Sequence, residues 1–267
     1  MRTTTDYWRD WWDQRARATG SDYEADRGSE LRVGAVAARS ERRFLDALDP
    51  RPGDVVLDAG CGSAGNALKI AGRVAEVVAI DFSEEMIKRA RARLGERGVT
   101  NVRLLTGDIT RLEMESDRFD KAICASVLQY LNDDECRAAV GELFRVCKPG
   151  ATVVIHAKNS TSLYGVSLRV LRAVARVIGR KTRPGIFRPR RWYQQTISEL
   201  GGTLVDFDSF GCLTFVPCPR RLVGLLLRLE MCLPKGRRLR GLGVNYHMVV
   251  RVDKRPPDSP QGAATGP

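Results

Sequence analysis

Histidine is nearly absent: the 267 residues hold two, His156 and His247. The seven cysteines (61, 124, 136, 147, 212, 218 and 232) are odd in number and include no Cys-x-x-Cys pair. Too few ligands remain for a structural metal centre, so no metal is expected. Most of these cysteines lie in apolar runs, where a free thiol is a small core residue. A reducing, cytoplasmic compartment is the expectation. No apolar run reaches about 18 residues, and no apolar segment opens the chain. Neither a transmembrane helix nor a secretory leader is therefore expected.

Negative charge is also in short supply, with 32 Asp/Glu against 44 Lys/Arg and a net of +12. The imbalance is local. Residues 161–255 hold 19 Lys/Arg and 5 Asp/Glu, a net of +14, and the rest of the chain nets −2. A substrate or a surface would be met there. That part lacks aromatics interleaved for base stacking and contains no recognisable RNA module, which argues against a nucleic-acid partner. The length and the 43% apolar fraction suit one sizeable α/β domain with additions.

What is present is concentrated in one stretch. The apolar run Val55-Val56-Leu57 ends at Asp58, the turn Gly60-Cys61-Gly62-Ser63-Ala64-Gly65 follows, and Asn66 to Ala71 reads as a helix start. Glycines suit a tight turn whose backbone must approach a ligand. Val77 to Ile80 reads as a second buried strand, ending at Asp81, where a ribose diol would be held. The string fits the dinucleotide pattern GxGxxG. Asp58 argues otherwise, because a carboxylate repels a pyrophosphate and attracts an ammonium or sulfonium. It favours S-adenosylmethionine.

The remainder follows in order. Tyr7 to Trp12 carries three of the four tryptophans, which predicts a helix docked on the domain, either as a cap over the cofactor or as cover for a flank. Glu30 to Leu48 reads as a helix. Ser83 caps a helix that runs to Arg93 or Leu94. Val102–Leu105 is a third strand before Gly107-Asp108-Ile109. Phe119–Cys124 is a fourth, Asp133–Val146 a helix closed by Lys148-Pro149-Gly150, and Thr152–His156 a fifth strand.

Taken together, VLDAGCGSAG, IDFSEEMI, GDI, FDKAICASVLQYL and CKPG over about residues 50–156 resemble the class I S-adenosylmethionine-dependent methyltransferases, particularly those acting on small molecules. Ala64 departs from the pattern where that family often has a third glycine. The resemblance implies an α/β, Rossmann-like fold: a seven-stranded, mostly parallel sheet with helices on both faces and helical insertions forming a lid. It implies that Asp58, Gly60 and Gly62 line the methionine end of the cofactor. Asp81 would take the ribose hydroxyls and Phe82 would flank the adenine. Asp108 and Ile109 would border the adenine's other side, and Ala125 would lie under the sulfonium. Ala59, Cys61, Met86 and Gly107 complete the implied shell.

After the fifth strand, Trp192–Leu200 resembles the family's next helix, and Thr203–Phe207 and Tyr246–Arg251 its last two strands. The expected division is an N-terminal helical cap (1–48), a methyltransferase domain (49–255) with insertions at 160–189 and 215–243, and a disordered tail (256–267). In the first insertion Arg169, Arg172, Arg176 and Arg180 form a basic stripe opposite Leu168, Leu171, Val174, Val177 and Ile178. Family members build substrate lids there; a peripheral membrane contact is the competing reading.

Transfer from a sulfonium is an in-line displacement in which the protein mainly aligns the reactants. A base is needed only for a protonated, weakly acidic nucleophile. His156, at a strand end, is the candidate base, against the plainer reading of a locally satisfied histidine, whereas mid-strand His247 reads as structural. Gln129 and Tyr130 would orient substrate or pack. The leading reading is methyl transfer to O, N or C of a small, largely apolar or acidic metabolite. Behind it stand a lipid-linked substrate at the membrane face, an RNA-binding methyltransferase or non-catalytic binder, and a dinucleotide oxidoreductase. The oligomeric state is not legible.

Overall fold

A computed structural model describes residues 4–18, 44–180, 185–211, 225, 229 and 243–253. Within these, helix α1 spans Thr4–Ala18 and residues 44–48 are helical. The strands are β1 (Val55–Ala59), β2 (Glu76–Asp81), β3 (Val102–Thr106), β4 (Phe119–Ala125), β5 (Cys147–Lys158), β6 (Gly202–Phe210) and β7 (Asn245–Val252). The remaining helices are α2 (Gly65–Ile70), α3 (Glu84–Glu96), α4 (Asp133–Val146), α5 (Leu163–Val177) and α6 (Arg190–Glu199). The expected tail and most of the expected Glu30–Leu48 helix lie outside the described residues, as does the second insertion apart from Leu225, Leu229 and Gly243.

The seven strands form one sheet in the order β3-β2-β1-β4-β5-β7-β6. Pairings along β3-β2-β1-β4-β5 are parallel, while β7 runs antiparallel to both β5 and β6. Parallel strands need cover on both faces, which explains their near-continuous apolar runs. Side chains alternate along a strand, so Val56, Val77, Ala79, Ile123 and Val154 pack under residues 44–48, α2 and α3. Their neighbours Leu57, Val78, Ala122, Val153 and Ile155 pack under α4 and α6 on the other face.

The same alternation places Asp58, Asp81, Ala125 and His156 on the first face. Chain order reverses between β1 and β4, which opens a crevice at their carboxyl ends, the ordinary place for a ligand in this architecture. Most predicted elements appear within a residue or two. One differs: Lys148-Pro149-Gly150 lies inside β5 rather than before it, where the register against β4 shifts between Phe119 and Lys121. α4 starts with a full capping box, Asn132 accepting from Glu135 N and the Glu135 carboxylate accepting from Asn132 N.

Candidate cofactor and active site

The turn after β1 is held by the neighbouring strand, with the N–H groups of Gly60 and Cys61 both donating to the Ile80 carbonyl at 2.8 and 3.0 Å. Gly60 (φ +76°) and Gly62 (φ +53°) take left-handed backbone, but they are glycines for different reasons. A Cβ on Gly60 would drive into the Val127 side chain after β4, so its lack of a side chain serves protein packing. A Cβ on Gly62 would meet open space, so only the backbone angle requires glycine there. Ala64 also sits at φ +60°, fully buried at the N-cap of α2 without a side-chain cap. A third glycine would hold that angle without strain, and the alanine tolerates it at a cost of about 1 kcal/mol.

Asp58 is fully buried, and neither carboxylate oxygen has a hydrogen-bond partner. Burial, reinforced by the Asp81 charge, pushes its pKa up to about 7; the Ala67 N–H and the Asn66 side chain come close without completing a hydrogen bond and offset this in part. Asp81 differs. Its Oδ2 accepts from Gly62 N at 2.8 Å and its Oδ1 from Ser83 N at 3.0 Å. Burial raises its pKa to about 6, held down by those donors. Asp108 is engaged locally, its Oδ1 accepting from the Thr110 N–H and hydroxyl.

α1 closes over this edge. Trp8 and Trp12 are buried against Met86, with Phe82 and Tyr130 packed alongside. The Trp8 ring lies 4.5 Å from that of Tyr130, and the Arg9 guanidinium stands 5.9 Å from the Phe82 ring. Ser83 donates to Asp13, and Arg17 pairs with Glu85. After β4, Ser126 holds φ +62° and its N–H donates to the His156 carbonyl. Gln129 is buried; its Nε2 donates to Ser126 O, and its Oε1 has no partner. The Trp8 Nε1 donor is likewise buried and unpaired.

His156 and His247 face each other across β5 and β7, with Nε2 and Nδ1 2.6 Å apart. The Phe44 and Phe210 rings flank His156 at 5.8 and 5.6 Å. Burial, followed by the His247 and Lys158 charges, lowers the His156 pKa to about 3.

The family model described as a methyltransferase domain matches residues 56–150, the stretch that builds this edge. The chain contains a class I, S-adenosylmethionine-dependent methyltransferase domain. Demethylmenaquinone methyltransferase of Streptomyces avermitilis is 36% identical over 114 residues, covering 43% of this chain and 46% of that protein. An uncharacterized 37.1 kDa protein in transposon TN4556 of Streptomyces fradiae is 38% identical over 131 residues, 48% of this chain and 37% of its own length. The chain thus spans less than half the length of these curated relatives. Magnesium protoporphyrin IX methyltransferase from Synechocystis PCC 6803, solved with bound S-adenosylhomocysteine, shares the fold at TM-score 0.64 and 15% identity, covering 94% of this chain and all of that one. The cyclase SpnF does so at TM-score 0.59 and 16% identity over 81% of each chain.

S-adenosylmethionine is the cofactor of this class, and the methyltransferase domain here fits it on its own observations. A buried carboxylate with two empty acceptors beside a backbone turn could hold an ammonium. Asp81, both oxygens already bound to backbone, still has lone pairs for ribose hydroxyls. Phe82 and Met86 lie next to each other under α1. The structure brings Asp58, Ala59, Gly60, Cys61, Gly62, Asp81, Phe82, Met86, Gly107, Asp108, Ile109 and Ala125 to one edge of the sheet, because all belong to β1–β4 or the turns leaving them, except Met86 in the first turn of α3. Gly107 is glycine because a Cβ would crowd Ile80. Sequence reasoning did not find Asp13, Ser126 or the Trp8 indole donor as parts of this edge. The three clustered tryptophans were the available signal for α1.

Because Asp81 anchors two backbone N–H groups as well as facing the crevice, Asp81→Ala should weaken S-adenosylhomocysteine binding about 10–100-fold and lower the melting temperature together. Calorimetric titration and thermal unfolding of the variant check both. Parent-like affinity would move the diol-binding group elsewhere.

Proposed function

We propose that this chain transfers the methyl group of S-adenosylmethionine to a small, largely apolar acceptor. The observation that carries the reading is the fully buried, unpartnered Asp58 carboxylate beside the Gly60–Ala64 turn. An orphan of this kind costs free energy unless a cationic ligand completes it, and the cofactor's ammonium is such a ligand. The fold alone would not decide the chemistry.

The cofactor supplies an activated methyl on a sulfonium; the protein's work is to hold and to align. Asp58 binds the ammonium and Asp81 the ribose hydroxyls. α1, through Trp8 and Trp12, keeps water from Phe82 and Tyr130. Gln129, with its free Oε1, and Tyr130 orient the acceptor. For an acceptor that arrives protonated, His156 is the base. Its depressed pKa keeps the imidazole neutral at pH 7 but also makes it a weak proton acceptor, so it serves a methyl acceptor whose own proton is acidic; donation from Nε2 to His247 would leave Nδ1 as the accepting nitrogen. His247 then fixes the tautomer, a role beyond simple packing. Names among the relatives and structural neighbours, for demethylmenaquinone and magnesium protoporphyrin IX, support an apolar ring-containing acceptor. No helix among the described residues is long and apolar enough to cross a membrane.

S-adenosylhomocysteine should raise the melting temperature at micromolar concentration, by the equivalent of about 2.7 kcal/mol at a hundredfold excess over Kd, while NAD should leave it unchanged. A shift with NAD alone would replace this reading with that of an oxidoreductase.

A further inference from the structure

α5 departs from the carboxyl end of β5, the edge at which Asp58 and His156 sit, and it is built the wrong way round for a core helix. Only Gly165 is buried along it. A Cβ there would strike the backbone of Asn159 and Ser160, so the helix approaches the domain closely at this one point. Leu168, Arg172 and Ala175 are half-buried on the same side. Arg172 is turned inward, donating to the Gly185 carbonyl at 2.7 Å and lying 5.9 Å from the Phe187 ring. The opposite side is apolar and faces solvent: Val177 is 86% exposed, Leu163 67%, Leu171 63%, Val170 60%, Val174 51% and Val166 41%. At 100° per residue these six fall within one arc of about 140°.

Charge says what covers this arc. Arg169 and Arg176 are exposed and lie together along one flank of it, between the apolar side and the domain, and Arg180 is exposed just past the helix end, after the Gly179 turn. No acidic residue occurs between Glu142 and Glu199, so the flank is of a single sign. A second copy docked antiparallel, arc against arc, would bring the two arginine flanks together. The 15-residue helix is about 22 Å long, too short to span a bilayer but suited to lie in its surface.

We propose that α5 is a membrane-surface helix. It sinks the Leu163–Val177 arc into an anionic lipid interface and keeps Arg169, Arg176 and Arg180 at headgroup level. The surface does not depend on the reading of the site as a methyltransferase. It does set the crevice beside the lipid, because Arg172 ties α5 to Gly185 and the Ile186 N–H donates to the Gln129 carbonyl at 2.8 Å.

The test is flotation of the full chain with phosphatidylcholine vesicles and with phosphatidylglycerol-rich vesicles, at low and high salt. The parent should float with the anionic vesicles at low salt, and high salt should release most of it. The Arg169→Gln, Arg176→Gln, Arg180→Gln variant should lose about 100-fold in partitioning to anionic vesicles. Val170→Asp with Val174→Asp should abolish flotation; both sites are exposed, so the melting temperature should stay near that of the parent. Three outcomes overturn the proposal: a folded parent that does not float, an aspartate variant that floats like the parent, or light scattering in which the aspartates break a dimer while vesicle binding is unchanged. The last would give the arc to a second copy. None of these outcomes bears on S-adenosylhomocysteine affinity, which tests the functional reading separately.

Discussion

Asp58→Asn is expected to stabilise the ligand-free protein at pH 8 while weakening S-adenosylhomocysteine binding about a hundredfold. Both effects come from one buried charge. With its pKa raised from 3.8 to about 7, Asp58 binds its proton more tightly in the folded state than in the unfolded one. Its contribution to stability is therefore fully present below about pH 4 and is lost as pH rises towards and through 7. Between pH 5 and pH 8 the loss is on the order of 2–3 kcal/mol. Asparagine does not titrate, so the stability gap between variant and parent should widen by that amount over the interval. Binding moves the other way. The ammonium needs the carboxylate form, and a charged hydrogen bond of about 1.5–3 kcal/mol is lost with it. Parent affinity should accordingly rise with pH up to about 7 and then level, a limb the variant lacks. Urea unfolding at the two pH values and titration calorimetry decide the matter. Equal pH slopes in both proteins, or unchanged affinity, would remove Asp58 from the site.

His156→Gln is expected to lower kcat by about 10²–10⁴ for an acceptor that needs deprotonation, with cofactor affinity nearly unchanged. Turnover is read as release of S-adenosylhomocysteine from an accepted substrate. The same substitution has a stability signature that needs no substrate. The His156 pKa falls from 6.5 to about 3 on folding. The neutral ring's contribution is complete above about pH 6.5 and is lost as pH falls towards 3, up to about 5 kcal/mol in all. Glutamine removes that acid limb. Asp58 and His156 thus tilt the parent's stability in opposite directions between pH 4 and 7, and the two single variants should expose the two slopes separately. Normal turnover across pH with the altered acid limb intact would make the His156–His247 pair a structural unit, leaving transfer to positioning alone.

The β1–turn–α2 segment was legible because it is local. An apolar run, an acid and glycines in ten residues leave few conformations, and the Asp58 argument needed only the sign of a charge. Asp81 and the α4 boundaries were readable for the same reason. The contact between His156 and His247 was not, because it depends on an antiparallel register between strands 91 residues apart in sequence. The motif suits a Gly60 that makes room for a ligand, whereas its neighbour is Val127, 67 positions on. Spacing put Arg172 in one stripe with Arg169, Arg176 and Arg180, yet the 185–188 segment draws it inward. That segment is itself pinned by the buried Arg188, which donates to Asp133 and to the Leu128 and Leu131 carbonyls. A lone arginine in a basic stretch carries no sequence signal for such a role.

The docking of α1 has a consequence for folding order. Its partners are about 70 and 120 residues away, at Ser83–Met86 and Tyr130. Closing loops of that length is slow relative to zipping β1 against β2. α1 is thus expected to be the last unit to settle and the first to exchange its amides, while the central ladder stays protected. A nucleoside bound beneath Trp8 and Trp12 would then leave at a rate set by undocking of α1 rather than by global unfolding.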